Sequence, residues 1–135
     1  MADSTEQLLQ ELARHLKIDQ FPRNTAGAIE LSVGDATSVF LFAESANTLM
    51  LACPVMAVPV DLDAASALWL LGLNFYDSPL APFRVAADPR GQLLLWSRLP
   101  GMGMSGAELA GVIDGLAAQA ERIRAELATE EDGAR

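Results

Sequence analysis

Four features of this sequence could do chemistry: Cys53, His15, the Asp61/Asp63 pair and the run Gly101-Met102-Gly103-Met104-Ser105-Gly106. Nucleophilic catalysis needs a base beside a serine or cysteine, and the chain holds one cysteine and one histidine. Cys53 lies in an apolar run next to Pro54, a setting where cysteine acts as a small buried hydrophobe. His15 comes three residues after Leu12 on a predicted helix, near its C-terminal end, where a cation is favourable. Zinc sites want clustered Cys and His, and none exists here. Asp61 and Asp63 stand at a helix start, and one capped helix accounts for both carboxylates without acid/base chemistry. The glycine run spells G-x-G-x-x-G between a predicted strand and a predicted helix. A dinucleotide site, however, needs a later strand to complete a βαβ unit. Here Pro100 separates strand from loop and one helix completes the chain. The expected acid, about 20 residues on, falls inside that helix. The run reads as a flexible link, so the expectation is no catalytic residue, no metal and no cofactor.

The elements around these features follow from periodicity. Ser4-Thr5-Glu6-Gln7 has the form of a capping box with Ser4 at the N-cap. Leu8, Leu9, Leu12 and Leu16 then recur at helical spacing, which predicts an amphipathic helix over about Thr5 to Leu16. Phe21-Pro22 ends any continuation. From Ala28 the period becomes two: Ile29, Leu31 and Val33 alternate with Glu30 and Ser32. Ser38 to Ala43 and Thr48 to Val55 follow as strands, joined by turns at Gly34-Asp35 and Glu44 to Asn47. Connections this short give an antiparallel meander. Val39-Phe40-Leu41-Phe42 is apolar on both faces, and alternation leaves open which pair points inward.

Asp61 or Asp63 caps a second helix to about Asn74. Leu62, Leu68, Trp69, Leu70, Leu71 and Leu73 make it apolar nearly all round, so it must be covered on several sides. In so short a chain the last side falls to another subunit. Phe83 to Ala87 and Gln92 to Leu99 flank Asp88-Pro89-Arg90-Gly91, a hairpin turn. Ser105 to Glu108 is a second capping box. Leu109, Val112, Ile113, Leu116, Ala120, Ile123 and Leu127 then mark a last helix to about Ala128, followed by a charged, frayed tail over Thr129 to Arg135. The predicted fold is α+β: one antiparallel five-stranded sheet and three helices in the order α-β-β-β-α-β-β-α, a single domain over residues 1–135.

Composition narrows the function. The chain has 135 residues, 51% of them hydrophobic and 6% aromatic, enough for one core built mainly of Leu, Val and Ala. Nine Lys and Arg against eighteen Asp and Glu give a net charge of −9, which opposes binding to nucleic acid or an anionic membrane surface. No apolar run approaches the roughly 20 residues a membrane-spanning helix needs. The start has no signal-peptide pattern, and one cysteine makes no intrachain disulfide, so a cytosolic (cytoplasmic) protein is expected.

Four stretches together resemble the class I type III secretion chaperones, the Tir/CesT-like family. They are Leu8-Leu9-Gln10-Glu11-Leu12-Ala13-Arg14-His15-Leu16, the three-strand meander, Ala67-Leu68-Trp69-Leu70-Leu71-Gly72-Leu73-Asn74, and Asp88-Pro89-Arg90-Gly91-Gln92-Leu93-Leu94-Leu95. The leucine-rich middle helix ending near Asn and the D-x-x-G hairpin before an apolar strand are the most telling. The glycine-rich link and the short acidic tail depart from the pattern. The resemblance implies a bacterial, virulence-associated homodimer without cofactor or catalysis. Its partner would be the extended N-terminal segment of a secreted effector, kept soluble and presented to the secretion ATPase.

Leu68, Trp69, Leu71, Leu73 and Trp96 are the expected dimer-interface residues. Ile29, Leu31, Phe40, Phe42 and Met50 are the expected effector-binding residues, because exposed apolar patches and open sheet edges commonly take protein chains. The competing expectation is a dimeric adaptor or regulatory subunit with a folded cytosolic partner. A small enzyme using the glycine run or Cys53 ranks below both.

Overall fold

The computed structural model describes residues 3–80 and 82–133. The first helix, α1 (Ser4–His15), turns Leu8, Leu9, Leu12 and Ala13 to the core, as the stripe predicts. Its N-cap is Asp3, one residue earlier than expected, whose carboxylate accepts from the N–H groups of Thr5 and Glu6 at 3.0 and 3.2 Å. A carboxylate also favours the positive end of the helix dipole. With Asp3 as cap, Thr5 does other work: its buried hydroxyl lies 3.0 and 2.9 Å from the carbonyl oxygens of Ser45 and Ala46. At the far end Lys17 takes φ 61°. The Ile18 N–H donates to the Ala13 carbonyl and the Lys17 N–H to that of Arg14, the Schellman closure that glycine usually occupies.

The strands are β1 (Ile29–Val33), β2 (Thr37–Ser45), β3 (Thr48–Ala57), β4 (Arg84–Ala87) and β5 (Gln92–Pro100). They form one antiparallel sheet in the order β1-β2-β3-β5-β4. The predicted meander and hairpin are both present. At the hairpin turn the Asp88 carboxylate accepts from the Arg90 and Gln92 N–H groups, each at 2.9 Å, and Gly91 takes φ +83°. Pro54 is tolerated in a central strand because it lies beyond the β2–β3 pairing, which reaches only Ala52, and next to a register shift.

Helix α3 (Gly106–Gly133) runs over β2, β3 and β5 with α1 beside it. Its predicted capping box is formed: the Glu108 N–H donates to Ser105 Oγ at 3.0 Å and the Ser105 N–H to Glu108 Oε1 at 3.2 Å. The backbone stays helical to Gly133, beyond the expected stop near Ala128. Of the expected frayed tail, Ala134 and Arg135 lie outside the described residues. Leu109, Ile113, Leu116, Ala120 and Ile123 complete a core with Val39, Leu41, Leu49, Leu51 and Leu95 of the sheet.

The glycine run between β5 and α3 is structural. The Gly101 N–H donates to the Asn47 carbonyl at 2.6 Å. A Cβ on Gly101 would strike Thr5 Oγ1, and one on Gly106 would strike the backbone of Glu11 and Leu12. These two glycines let β5 and α3 approach α1 backbone to backbone, so close approach explains glycines that a flexible link leaves unaccounted for.

Candidate functional site

The strand register sorts the apolar residues into two sheet faces. Val39 and Leu41 are fully buried beneath α1 and α3, which settles the question that alternation left open. Phe40 pairs with Ala52, Phe42 with Met50, Ala52 with Trp96 and Pro54 with Leu94. Cross-strand partners share a face, so Phe40, Phe42, Met50, Leu94 and Trp96 line the side opposite α1 and α3. Phe40, Met50, Leu94 and Trp96 are half-buried and Phe42 is exposed at 36%, and none of the five packs on the core cluster. Arg98 lies 5.4 Å from the Trp96 ring and pairs with Glu44 at 2.8 Å, giving this apolar face a charged margin.

Ile29 is placed elsewhere than expected. It pairs with Leu41 on the helix-covered face and is 1% exposed, so it is core and not surface. Leu31 shares that face but is half-buried at the open edge of the sheet. There Leu12, Leu16, Ile18, Leu31, Val33 and Ile113 line a groove of ≈ 630 Å³, with His15, Glu30 and Asp114 among its polar lining. Beside it, the outer edge of β1 makes no backbone hydrogen bond to another described segment. Ile18 and Leu94 are surface residues that the sequence pattern does not single out. Ile18 lay outside the helical stripe, while period-two counting along Leu93-Leu94-Leu95 would have separated Leu94 from its buried neighbours.

Helix α2 (Ala64–Gly72) is capped by Asp63, whose carboxylate accepts from the Ser66 N–H at 2.7 Å. That bond holds the Asp63 carboxyl below its usual range, so the carboxylate is occupied as a cap. Within the helix Leu70 is buried, and Trp69 and Leu73 are half-buried against the core. Leu68 and Leu71, in contrast, are 68% and 66% exposed, and Phe75 and Tyr76 follow as an exposed ring pair with centroids 4.5 Å apart. The helix is anchored to the sheet by Asn74, which donates to the Val85 carbonyl at 3.0 Å and accepts the Val85 N–H at 2.6 Å. One side-chain amide thus covers part of the β4 edge. Of the five expected interface residues, Leu68 and Leu71 are exposed, Trp69 and Leu73 lean inward, and Trp96 sits on the uncovered sheet face.

The features with catalytic potential are dispersed. Cys53 is fully buried, and desolvation pushes its thiol up to about 11, with Arg124 opposing and Glu121 adding to the shift. It is therefore protonated at neutral pH, a poor nucleophile. His15 is exposed on α1. Among the described residues no group of three or more His, Cys, Asp or Glu is placed to hold a metal ion, and no helix is long and apolar enough to cross a membrane.

Known proteins share this architecture. A Yersinia pestis type III secretion chaperone, SycH, solved in complex with a stable fragment of YscM2, is similar at 25% identity and a TM-score of 0.71. That match covers 88% of this chain and 98% of the other. The ExoU–SpcU complex from the type III secretion system of Pseudomonas aeruginosa matches at 21% identity and a TM-score of 0.67, covering 92% and 95%. The HopA1–SchA chaperone–effector complex matches at 18% identity and a TM-score of 0.69, covering 90% and 93%. No curated protein sequence matches. The model of the Tir chaperone protein (CesT) family matches residues 7–124, and the chain belongs to that family.

Proposed function

We propose that this chain is a non-enzymatic secretion chaperone that forms a homodimer and binds the extended N-terminal segment of a specific type III effector. The observation that carries the reading is the uncovered apolar sheet face of Phe40, Phe42, Met50, Leu94 and Trp96. A sheet normally buries such residues beneath a second layer, and this face has none from its own described helices. An extended chain laid across it would shield these residues and its own apolar side chains together. The groove at Leu31 and the open β1 edge offer a second contact, where main-chain hydrogen bonds give affinity and the groove takes alternate side chains. Leu31, Phe40, Phe42 and Met50 are accordingly the effector-contacting residues. Ile29 is left out because it is buried.

Dimerisation rests on Leu68 and Leu71, with Trp69, Leu73 and Trp96 at the margin. Two leucines about two-thirds exposed on one short helix are more apolar surface than water tolerates cheaply, and a second copy is the economical cover. The partner is held unfolded, soluble and competent for secretion, with no bond made or broken by the chaperone.

The test is capture of the tagged chain from its host with identification of what co-purifies, followed by deletion of the partner's first ~100 residues, a length suited to a segment that orders only on binding. Loss of association on deletion, with that segment protease-sensitive when free, is the expected result. A partner retained through a folded region would overturn the reading.

A further inference from the structure

Strand register also lays out the charges of the open sheet face. Glu30 pairs with Phe40, Phe40 with Ala52 and Ala52 with Trp96, so these side chains form one row across the sheet from β1 to β5. The adjacent row is Phe42, Met50 and Arg98. The apolar track thus begins at a carboxylate on the β1 edge and ends at a guanidinium on β5. Arg84, half-buried on β4, prolongs the first row, so the polarity continues to that edge.

The two end charges are both open to an incoming chain. Glu30 is exposed, and its carboxylate makes no hydrogen bond or ion pair among the described residues. Arg124, which lines the same shallow depression, spends its Nε–H on the Val55 carbonyl at 2.9 Å. Arg98 is held in place: Glu44 accepts its Nε–H at 2.8 Å, and its guanidinium carbon lies 5.4 Å from the Trp96 ring. Its Nη groups make no hydrogen bond among the described residues and its side chain is 55% exposed, so the rest of the fork can take a carboxylate. A cation already fixed by stacking and an ion pair loses little side-chain freedom when it binds.

We propose that the partner segment crossing this face carries a basic residue over Glu30 and an acidic residue over Arg98, with apolar residues between them on Phe40, Phe42 and Trp96. The inference rests on the docking reading above and adds the orientation of the bound chain. Three strand spacings of about 4.8 Å and a two-residue step along β5 put the charges about 16 Å apart, which an extended chain covers in about four to six residues. Apolar packing alone accepts a chain in either direction, whereas opposite charges at the two ends reject the reversed one. The net charge of −9 draws basic segments without distinguishing among them. The demand for an acid at the Arg98 end is what discriminates.

Fluorescence anisotropy with synthetic peptides tests this on the full chain, with circular dichroism confirming that each variant is folded. The reference peptide is a short segment rich in Val and Thr, with Lys and Glu about four residues apart so that both point to one side. Exchanging its Lys or its Glu for Ala should weaken binding by about threefold to fivefold each, the scale of a partly exposed ion pair. Glu30→Gln should abolish the effect of the peptide Lys and keep that of the peptide Glu, and Arg98→Met should do the converse. Equal binding of charged and alanine peptides, while Phe42→Ala still weakens both, would overturn the charge assignment and leave the docking face standing. No binding by any peptide, the result if a second copy occupies the face, would overturn both.

Discussion

Val39 and Leu41 are fully buried under α1 and α3, while Phe40 and Phe42, their neighbours in the same strand, face the side that no described helix covers. The residue types hardly differ, and all four favour a strand. What separates them is the layer above: α3 brings Leu109, Ile113 and Leu116 onto one face, and nothing in the protomer does so for the other. Hydrophobicity therefore says that a residue wants cover, and the fold decides whether the cover comes from the same chain or from a partner. One face serves stability and the other is available for association.

Substitutions on the two faces should have opposite signatures. The largest effect is expected on the covered face: Leu51→Ala, at a fully buried position, should cost about 2–5 kcal/mol in denaturant unfolding, from lost burial plus a residual cavity. Gly106→Ala should follow at about 1–3 kcal/mol, because its methyl would drive α3 away from the α1 backbone. Phe42→Ala on the open face should change protomer stability by less than about 1 kcal/mol, since part of its ring is already in water. The same variant should weaken the partner complex by about tenfold, read by calorimetric titration. If Phe42→Ala destabilised the chain as severely as Leu51→Ala, the contrast between the faces would collapse. The smallest change lies away from both faces. Lys17→Gly should raise the unfolding midpoint, gaining about 0.5 kcal/mol net, because glycine adopts φ 61° without strain but loses more chain entropy. A decrease would mean that the Lys17 side chain contributes more than the backbone geometry suggests.

Much of this architecture could be read before any coordinates, and the legible parts share a cause. The stripe Leu8, Leu9, Leu12, the alternation of Ile29 to Val33, the Asp88 to Gly91 turn and the Ser105–Glu108 box are local patterns whose period or capping chemistry is written in adjacent residues. The errors at helix ends were also local. Ser4 and Asp3 are both competent caps, and only the Thr5 contact with the Ser45–Ala46 turn shows why Asp3 takes the position. The glycine run was less accessible, because the need for Gly101 and Gly106 comes from α1, about a hundred residues away in sequence, a separation no local pattern records.

The candidate site was legible in kind but not in membership. Exposed leucines on α2 followed from a helix apolar all round, since any one protomer can cover only part of such a surface. Ile29 and Phe40 read alike as strand hydrophobes, and their separation into core and surface needed the register of β1 on β2 and the side on which α3 packs. The elements, their order and the excess of apolar surface are written along the chain, since they rest on periodicity and propensity. Which side of the sheet stays open and which glycines are obligatory follow from packing alone, because each depends on atoms brought together from distant parts of the chain.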